Sequence, residues 1–358
     1  MGCPYSSLPA SSWWSQTMDG RTAAEIDPHR PSSITIAPAT RITSAGSCFA
    51  QNISRALVER GYNYFVTEQA PAFMSAEKAR NYNYGVFSAR YGNIYSTIQL
   101  LQLLQRATGS LTPADQYWSD DDGRYYDLLR PRIVPKGFAS RAEAEADNRQ
   151  HLAAVRRLFQ EAEVFIFTLG LTESWRSCAD GTVYPTCPGC GSAGDYDPEK
   201  YRFENLTVEA SSAALSSAIK LLRELNPSLH IILTVSPVPL IATMTNTHVL
   251  QATTYSKSVL RVVAEQTVQS FENVHYFGSY EIITATRNTH AYFENDGRTV
   301  TEAGVGRAME LFFAHFAGEA PVQAPTSRPA VAPTAQEASD LICDEKDFFR
   351  AMAKSAAN

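Results

Sequence analysis

Arg41-Ile42-Thr43-Ser44-Ala45-Gly46-Ser47-Cys48-Phe49-Ala50 is the stretch whose reading decides the fold. Arg41–Ala45 has the composition of a short strand, and Gly46-Ser47 is a turn. From Phe49 to Arg60 apolar residues recur at helical spacing, with Gly61 after them as a C-cap. Tyr62–Thr67 returns to strand composition. The spacing therefore predicts strand, turn, helix and strand, the repeating unit of a parallel sheet.

The same alternation continues outward. A short strand is expected at Ile34–Ala37 before the decisive stretch. After an irregular aromatic segment at 81–96, helices are expected at Thr97–Ala107 and over residues 140–160. Glu163–Leu169 and Leu229–Val235 are continuous apolar runs of strand length, the pattern of strands covered on both faces. Residues 173–204, with their Gly, Pro and Asp, read as a hairpin and a long loop. Val208–Leu225, Tyr255–Phe271 and Thr301–Phe316 read as helices, and Val274–Phe277 as a strand. The fold class expected is α/β, a flavodoxin-like three-layer α/β/α sandwich around a mainly parallel sheet. Residues 34–317 form its domain, 1–33 an extension, and 318–358 an Ala/Pro-rich linker with a C-terminal helix.

The bulk numbers exclude several classes. The chain has 358 residues, 44% hydrophobic and 19% charged, as expected of a folded domain. A net charge of −6 gives no general basic field, so nucleic acid and anionic membrane surfaces are not expected partners. No apolar run approaches the roughly 20 residues of a membrane span. The first residues lack the basic start and apolar core of a signal peptide, so a cytoplasmic location is expected. Met1-Gly2-Cys3 with Ser6 is only a short myristoylation-like pattern. Six cysteines spread along the chain read as free thiols in a reducing compartment. Cys187-Pro188-Gly189-Cys190 has zinc-knuckle spacing, but only Cys178 is nearby to join it, and a structural zinc needs four ligands. A Pro-Gly turn with incidental thiols is expected there, with no metal and no cofactor.

In an open parallel sheet, functional groups gather beyond the C-terminal strand ends. Four segments fall there, Gly46–Ala50, the loop around Gly92-Asn93, Gly170–Glu173 and Ser236–His248, and a fifth, Asp296–Gly304, precedes the last helix; the five are read as one site. Ser47 stands between a strand and a helix, where free backbone N–H groups stabilise an anion. The same place suits a plain N-cap serine. Cys48 is a rival nucleophile at that helix start and equally a small core residue.

Gly46-Ser47-Cys48-Phe49-Ala50 resembles the motif that names the GSCFA family, a branch of the SGNH/GDSL hydrolases. Further words follow in the family's order: Arg90-Tyr91-Gly92-Asn93-Ile94-Tyr95, Leu169-Gly170-Leu171-Thr172-Glu173, Val235-Ser236-Pro237-Val238, Tyr255-Ser256-Lys257-Ser258, Ser279-Tyr280-Glu281 and the Asp296 segment. The resemblance implies Ser47 as nucleophile and Gly92 with Asn93 as oxyanion donors. Where the family pattern usually has an Asn donor this chain has Thr172, followed by Glu173, which suits orienting a base or accepting a substrate hydroxyl. The last block departs more sharply. Asp296-Gly297-Arg298-Thr299 keeps the aspartate but carries Thr299 where SGNH enzymes place histidine. A neutral threonine is no general base near pH 7.

Of the seven histidines, His248 lies in the loop that borders the site in SGNH folds, and is the base expected, with Asp296 orienting it. His290 and Lys257, as the amine of a Ser–Lys pair, are the alternatives. Arg90 and Arg298 are either anchors for an anionic or sugar group or surface salt bridges. The resemblance implies a serine esterase acting on a small-molecule or carbohydrate ester, O-acetyl sugars first. An O-acyltransferase on the same scaffold, and a non-catalytic carbohydrate- or ligand-binding protein without the usual Asp-x-x-His, remain alongside it.

Overall fold

The computed structural model describes residues 3–29, 32–190, 195–285 and 289–319. They fall into two compact units: residues up to 37 with those from 277 onward, and residues 38–276. The expected linker from 320 and its helix, Met1-Gly2, Cys343 and the His290 side chain lie outside the described residues.

The larger unit is built on β1 (Ile42–Gly46), α1 (Ala50–Glu59), α2 (Thr97–Thr108), α3 (Arg141–Glu161), β2 (Val164–Leu169), β3 (Glu173–Ser177), β4 (Val183–Tyr184), β5 (Tyr201–Asn205), α4 (Val208–Leu225), β6 (His230–Val235), α5 (Val249–Ser270) and β7 (Val274–Phe277). The main sheet runs β1-β2-β6-β7. β1, β2 and β6 pair in parallel, with Gly46 opposite Thr168 and Thr168 opposite Thr234. The fold class read from the sequence is the one observed.

Local chemistry sets the elements. All six residues of β2 are buried, so both its faces are covered. Phe159 of α3 meets Phe165 of β2 edge to face at 5.0 Å. Ser96, Ser140 and Thr207 cap α2, α3 and α4 by accepting a backbone N–H from the first turn. Tyr64 bridges Ile42 on the edge of β1 away from β2. Right-handed crossovers therefore put α1 on one face and α3, α4 and α5 on the other, which makes three layers.

Some expectations were too generous with strands. Tyr62–Thr67 keeps a single bridge, because Tyr64 N–H turns back to the Tyr62 carbonyl and Thr67 N–H goes to Ser88. Ile34–Ala37 is no strand, since Ile36 N–H bonds the Phe316 carbonyl at a helix end. Residues 173–204, expected as hairpin and loop, carry most of a three-stranded sheet in the order β4-β3-β5. α5 begins at Val249, before the expected Tyr255.

The smaller unit contains α6 (Ser279–Thr284), α7 (Thr289–Tyr292) and α8 (Glu302–Phe316). Phe277, Phe312 and Phe316 form its aromatic core, and His29 stacks on Phe277 at 4.8 Å.

Candidate functional site

The site forms where β1, β2 and β6 end. Gly46 closes β1 at φ +147°, and a Cβ there would lie 2.5 Å from the Thr168 carbonyl oxygen. Both the conformation and the space demand glycine. The chain can then turn sharply. Ala50 N–H bonds the Ser47 carbonyl at 2.8 Å and α1 starts.

Ser47 is 4% exposed, and its Oγ is buried without a hydrogen-bond partner. Buried polar groups are normally paired, and Ser47 shares the unmet state of its hydroxyl with Thr43, Thr97, Thr168, Ser174 and Ser211. Gly170, just past β2, forms the wall beside it. A Cβ on Gly170 would lie 3.1 Å from Ser47 Cβ and 3.0 Å from the Tyr95 carbonyl oxygen. That carbonyl accepts the N–H groups of both Gly170 and Leu171 at 3.0 Å. Ile94 N–H bonds the Gly46 carbonyl at 2.8 Å, so residues 94–95 bind the two strand ends together.

Other expected site residues sit on the same unit. Gly92 has φ +73°, a conformation suited to glycine, beside Asn93, which is buried. Gln51, in the first turn of α1, donates to Asn93 Oδ1 at 3.2 Å. Thr172 gives its hydroxyl proton to Asn205 Oδ1 at 2.6 Å and its N–H to Ser256 Oγ at 3.0 Å. Its hydroxyl is directed at Asn205, a β5 residue that the sequence reading assigned to no strand. Glu173 accepts from Thr243 Oγ1 at 2.5 Å and from Met244 N–H at 3.1 Å. It ties down the loop that leads to His248.

His248 is exposed and caps α5, with Nδ1 accepting Leu250 N–H at 3.2 Å. In a neutral imidazole the proton then sits on Nε2. Lys257 lies nine residues further on, about 13 Å along the axis at about 1.5 Å per residue. It is 2% exposed, and its Nζ donates to the Gly170 carbonyl at 2.6 Å. Lys257 thus touches the wall of Ser47. Lysine on a helix usually reaches solvent, so periodicity gave little warning.

Asp296 belongs to the other unit. Its carboxylate accepts Thr299 Oγ1 at 2.6 Å and the N–H groups of Arg298 and Thr299 at 2.8 Å. Burial opposes the charge, but these hydrogen bonds hold the carboxyl below its ordinary value. Thr299 donates from within the turn that a histidine would occupy.

Arg90 is no surface anchor. It is 2% exposed and bonds Glu68, Asp147 and the carbonyls of Tyr82 and Ile133. A hydrogen bond from the Cys187 thiol holds the Cys190 thiol below its ordinary value. Among the described residues, the group with metal-ligand chemistry is Asp27, His29 and His315, in the smaller unit. There His29 Nε2 accepts Gly278 N–H at 2.7 Å, which puts the proton on Nδ1, the nitrogen facing Asp27. His315 Nε2 lies 2.7 Å from Asp27. Hydrogen bonds from Gly278 to His29 and between His315 and Asp27 hold the group together.

The GSCFA family model matches residues 41–312. No curated protein matches the chain. Among solved structures, a Clostridium thermocellum family 3 carbohydrate esterase aligns at 10% identity over 77% of this chain and 94% of that one, with a TM-score of 0.28. A carbohydrate esterase family 3 protein from Talaromyces cellulolyticus aligns at 10% identity over 76% and 94%, also at 0.28. At those values the likeness says nothing about what this chain acts on. No helix among the described residues is long and apolar enough to cross a membrane.

Proposed function

The chain belongs to the GSCFA family, and from that premise we propose that it is a serine acyl-ester hydrolase with Ser47 as nucleophile, acting on O-acylated carbohydrate. The observation that carries the reading is the buried, partnerless Ser47 Oγ, held at the strand ends by two positions with no room for a side chain. That is the preorganisation a nucleophile needs, and it exceeds what a helix cap requires.

In this reading Oγ attacks the acyl carbonyl and its proton passes to a base. The leaving alkoxide takes that proton, and water then cleaves the acyl-enzyme. Backbone and side-chain donors of Gly92-Asn93 face the oxyanion. We assign the base to Lys257, ahead of His248. Lys257 is buried against Gly170, which presses on Ser47, whereas His248 spends its accepting nitrogen on the α5 cap. The arrangement is then a Ser–Lys pair, with the amine neutral when Ser47 attacks.

A fluorophosphonate probe tests the reading. It labels Ser47 in the unmodified chain, and Ser47→Ala abolishes both labelling and turnover of p-nitrophenyl acetate. Absence of Ser47 labelling would favour a non-catalytic binding protein, the reading that the self-contained Asp296–Thr299 turn supports.

A further inference from the structure

Two adjoining narrow recesses open beside Asn93. They share Tyr91, Asn93, Leu129, Arg130 and Pro185 as lining, so they form one groove. Its wall is continuous with the site: Ile94, which lines it, bonds the Gly46 carbonyl, and Gln51 of the Ser47 turn holds Asn93.

The charge of this groove is one-sided. Arg106, Arg130 and Arg132 line it, and among the described residues no aspartate or glutamate does. In a chain of net charge −6 that is a marked local reversal. The carboxylates sit behind the arginines. Arg130 Nε bonds Asp127 at 2.8 Å and its Nη2 bonds Asp147 at 2.8 Å, which fixes the guanidinium in place. Arg130 Nη1 is left buried without a partner. Arg106 spends Nη2 on Asn148 at 2.9 Å, and its Nε is likewise buried and unpartnered. Both residues are more than nine-tenths buried.

Buried guanidinium donors are rarely left unmet, because each has lost its water. Two of them, on arginines that line one groove without a carboxylate in its lining, favour an anion there. The planar guanidinium fork matches the planar geometry of a carboxylate. We propose that the groove takes the carboxylate of an acidic sugar, so that the ester substrate of Ser47 is an O-acylated uronate-type residue. This rests on the hydrolase reading for the role of the sugar, but binding of the carboxylate does not require catalysis.

The test is therefore binding, measured by calorimetry on the full chain with D-glucuronate and, as the neutral control, D-glucose at equal ionic strength. Glucuronate binds and glucose does not. Arg106→Gln weakens glucuronate about tenfold or more, and Arg106→Lys recovers part of the loss. Equal behaviour of the two sugars in the unmodified chain overturns the proposal, and water alone then fills the groove. Glucuronate affinity that is unchanged in a folded Arg106→Gln chain overturns it as well. Failure of the two readings is separable. Ser47 labelling without glucuronate binding removes the groove inference only. Glucuronate binding without Ser47 labelling removes the hydrolase reading and leaves the groove.

Discussion

Ser47 and Gly170 are pressed together so closely that a Cβ on the glycine would stand 3.1 Å from the Cβ of the serine. The contact joins the ends of β1 and β2 at the candidate nucleophile. Gly170→Ala must push either Ser47 or the Tyr95 backbone aside. The chain is expected to fold with a loss of about 1–3 kcal/mol and to lose fluorophosphonate labelling about tenfold or more. Denaturant melts and labelling rates read the two effects separately.

Gly46→Ala should be worse for the fold. The new Cβ meets the Thr168 backbone at 2.5 Å, and φ +147° is a conformation that L side chains rarely adopt. A destabilisation of about 3 kcal/mol or more is expected, from strain and overpacking together. Soluble yield and thermal midpoint against Gly170→Ala measure it.

His248 and Lys257 are distinguished by a pair of substitutions. His248→Asn keeps a side-chain acceptor at the cap, so stability and p-nitrophenyl acetate turnover both stay near the unmodified level. His248→Ala loses the cap and about 1 kcal/mol. Lys257→Met keeps the bulk of the stem and removes the amine, and turnover falls by about a hundredfold or more. Turnover lost in His248→Asn and retained in Lys257→Met would return the base to the imidazole.

Acid sensitivity should come from the cluster around Arg90. His151 is fully buried and donates to Glu68 at 2.8 Å. Burial, followed by the Arg130 charge, pushes its imidazole down to about 4 from 6.5. An imidazole with a lowered folded value contributes stability that is complete above pH 6.5 and declines as pH falls toward 4. Burial alone would raise Glu68, but the His151 hydrogen bond and the nearby arginines outweigh it and hold the carboxyl at about 2. Its contribution is present above its ordinary 4.5 and fades as pH falls through about 2. Denaturant melts should therefore show stability dropping from pH 6.5 downward. His151→Gln should flatten the part between 6.5 and 4. A flat profile there in the unmodified chain would contradict this account.

What the sequence made legible follows from local rules. The apolar run of β2 and the helical spacing of α2, α3 and α4 depend on neighbours in the chain, and the fold class followed from them. Ser47 was legible as a candidate because its turn lies in one short word. The burial of Lys257 was not, because it depends on the Gly170 carbonyl 87 residues away. The same holds for Thr172, whose partner Asn205 lies on a strand too polar to read as one. Arg90 offered a choice between anchor and salt bridge that only its carboxylate neighbours, 22 and 57 residues away, resolve. The two missing strands failed for the opposite reason: local composition favoured them, while Ser88 and the end of α8 claimed their backbone groups.

The most direct measurement is acid-quenched peptide mass spectrometry after brief exposure to p-nitrophenyl acetate. The account predicts one added acetyl group on the peptide that contains Ser47, formed in a burst and lost in Ser47→Ala. Hydrolysis that continues with Ser47 unmodified, or an acetyl group found on Cys48 in place of Ser47, would contradict it.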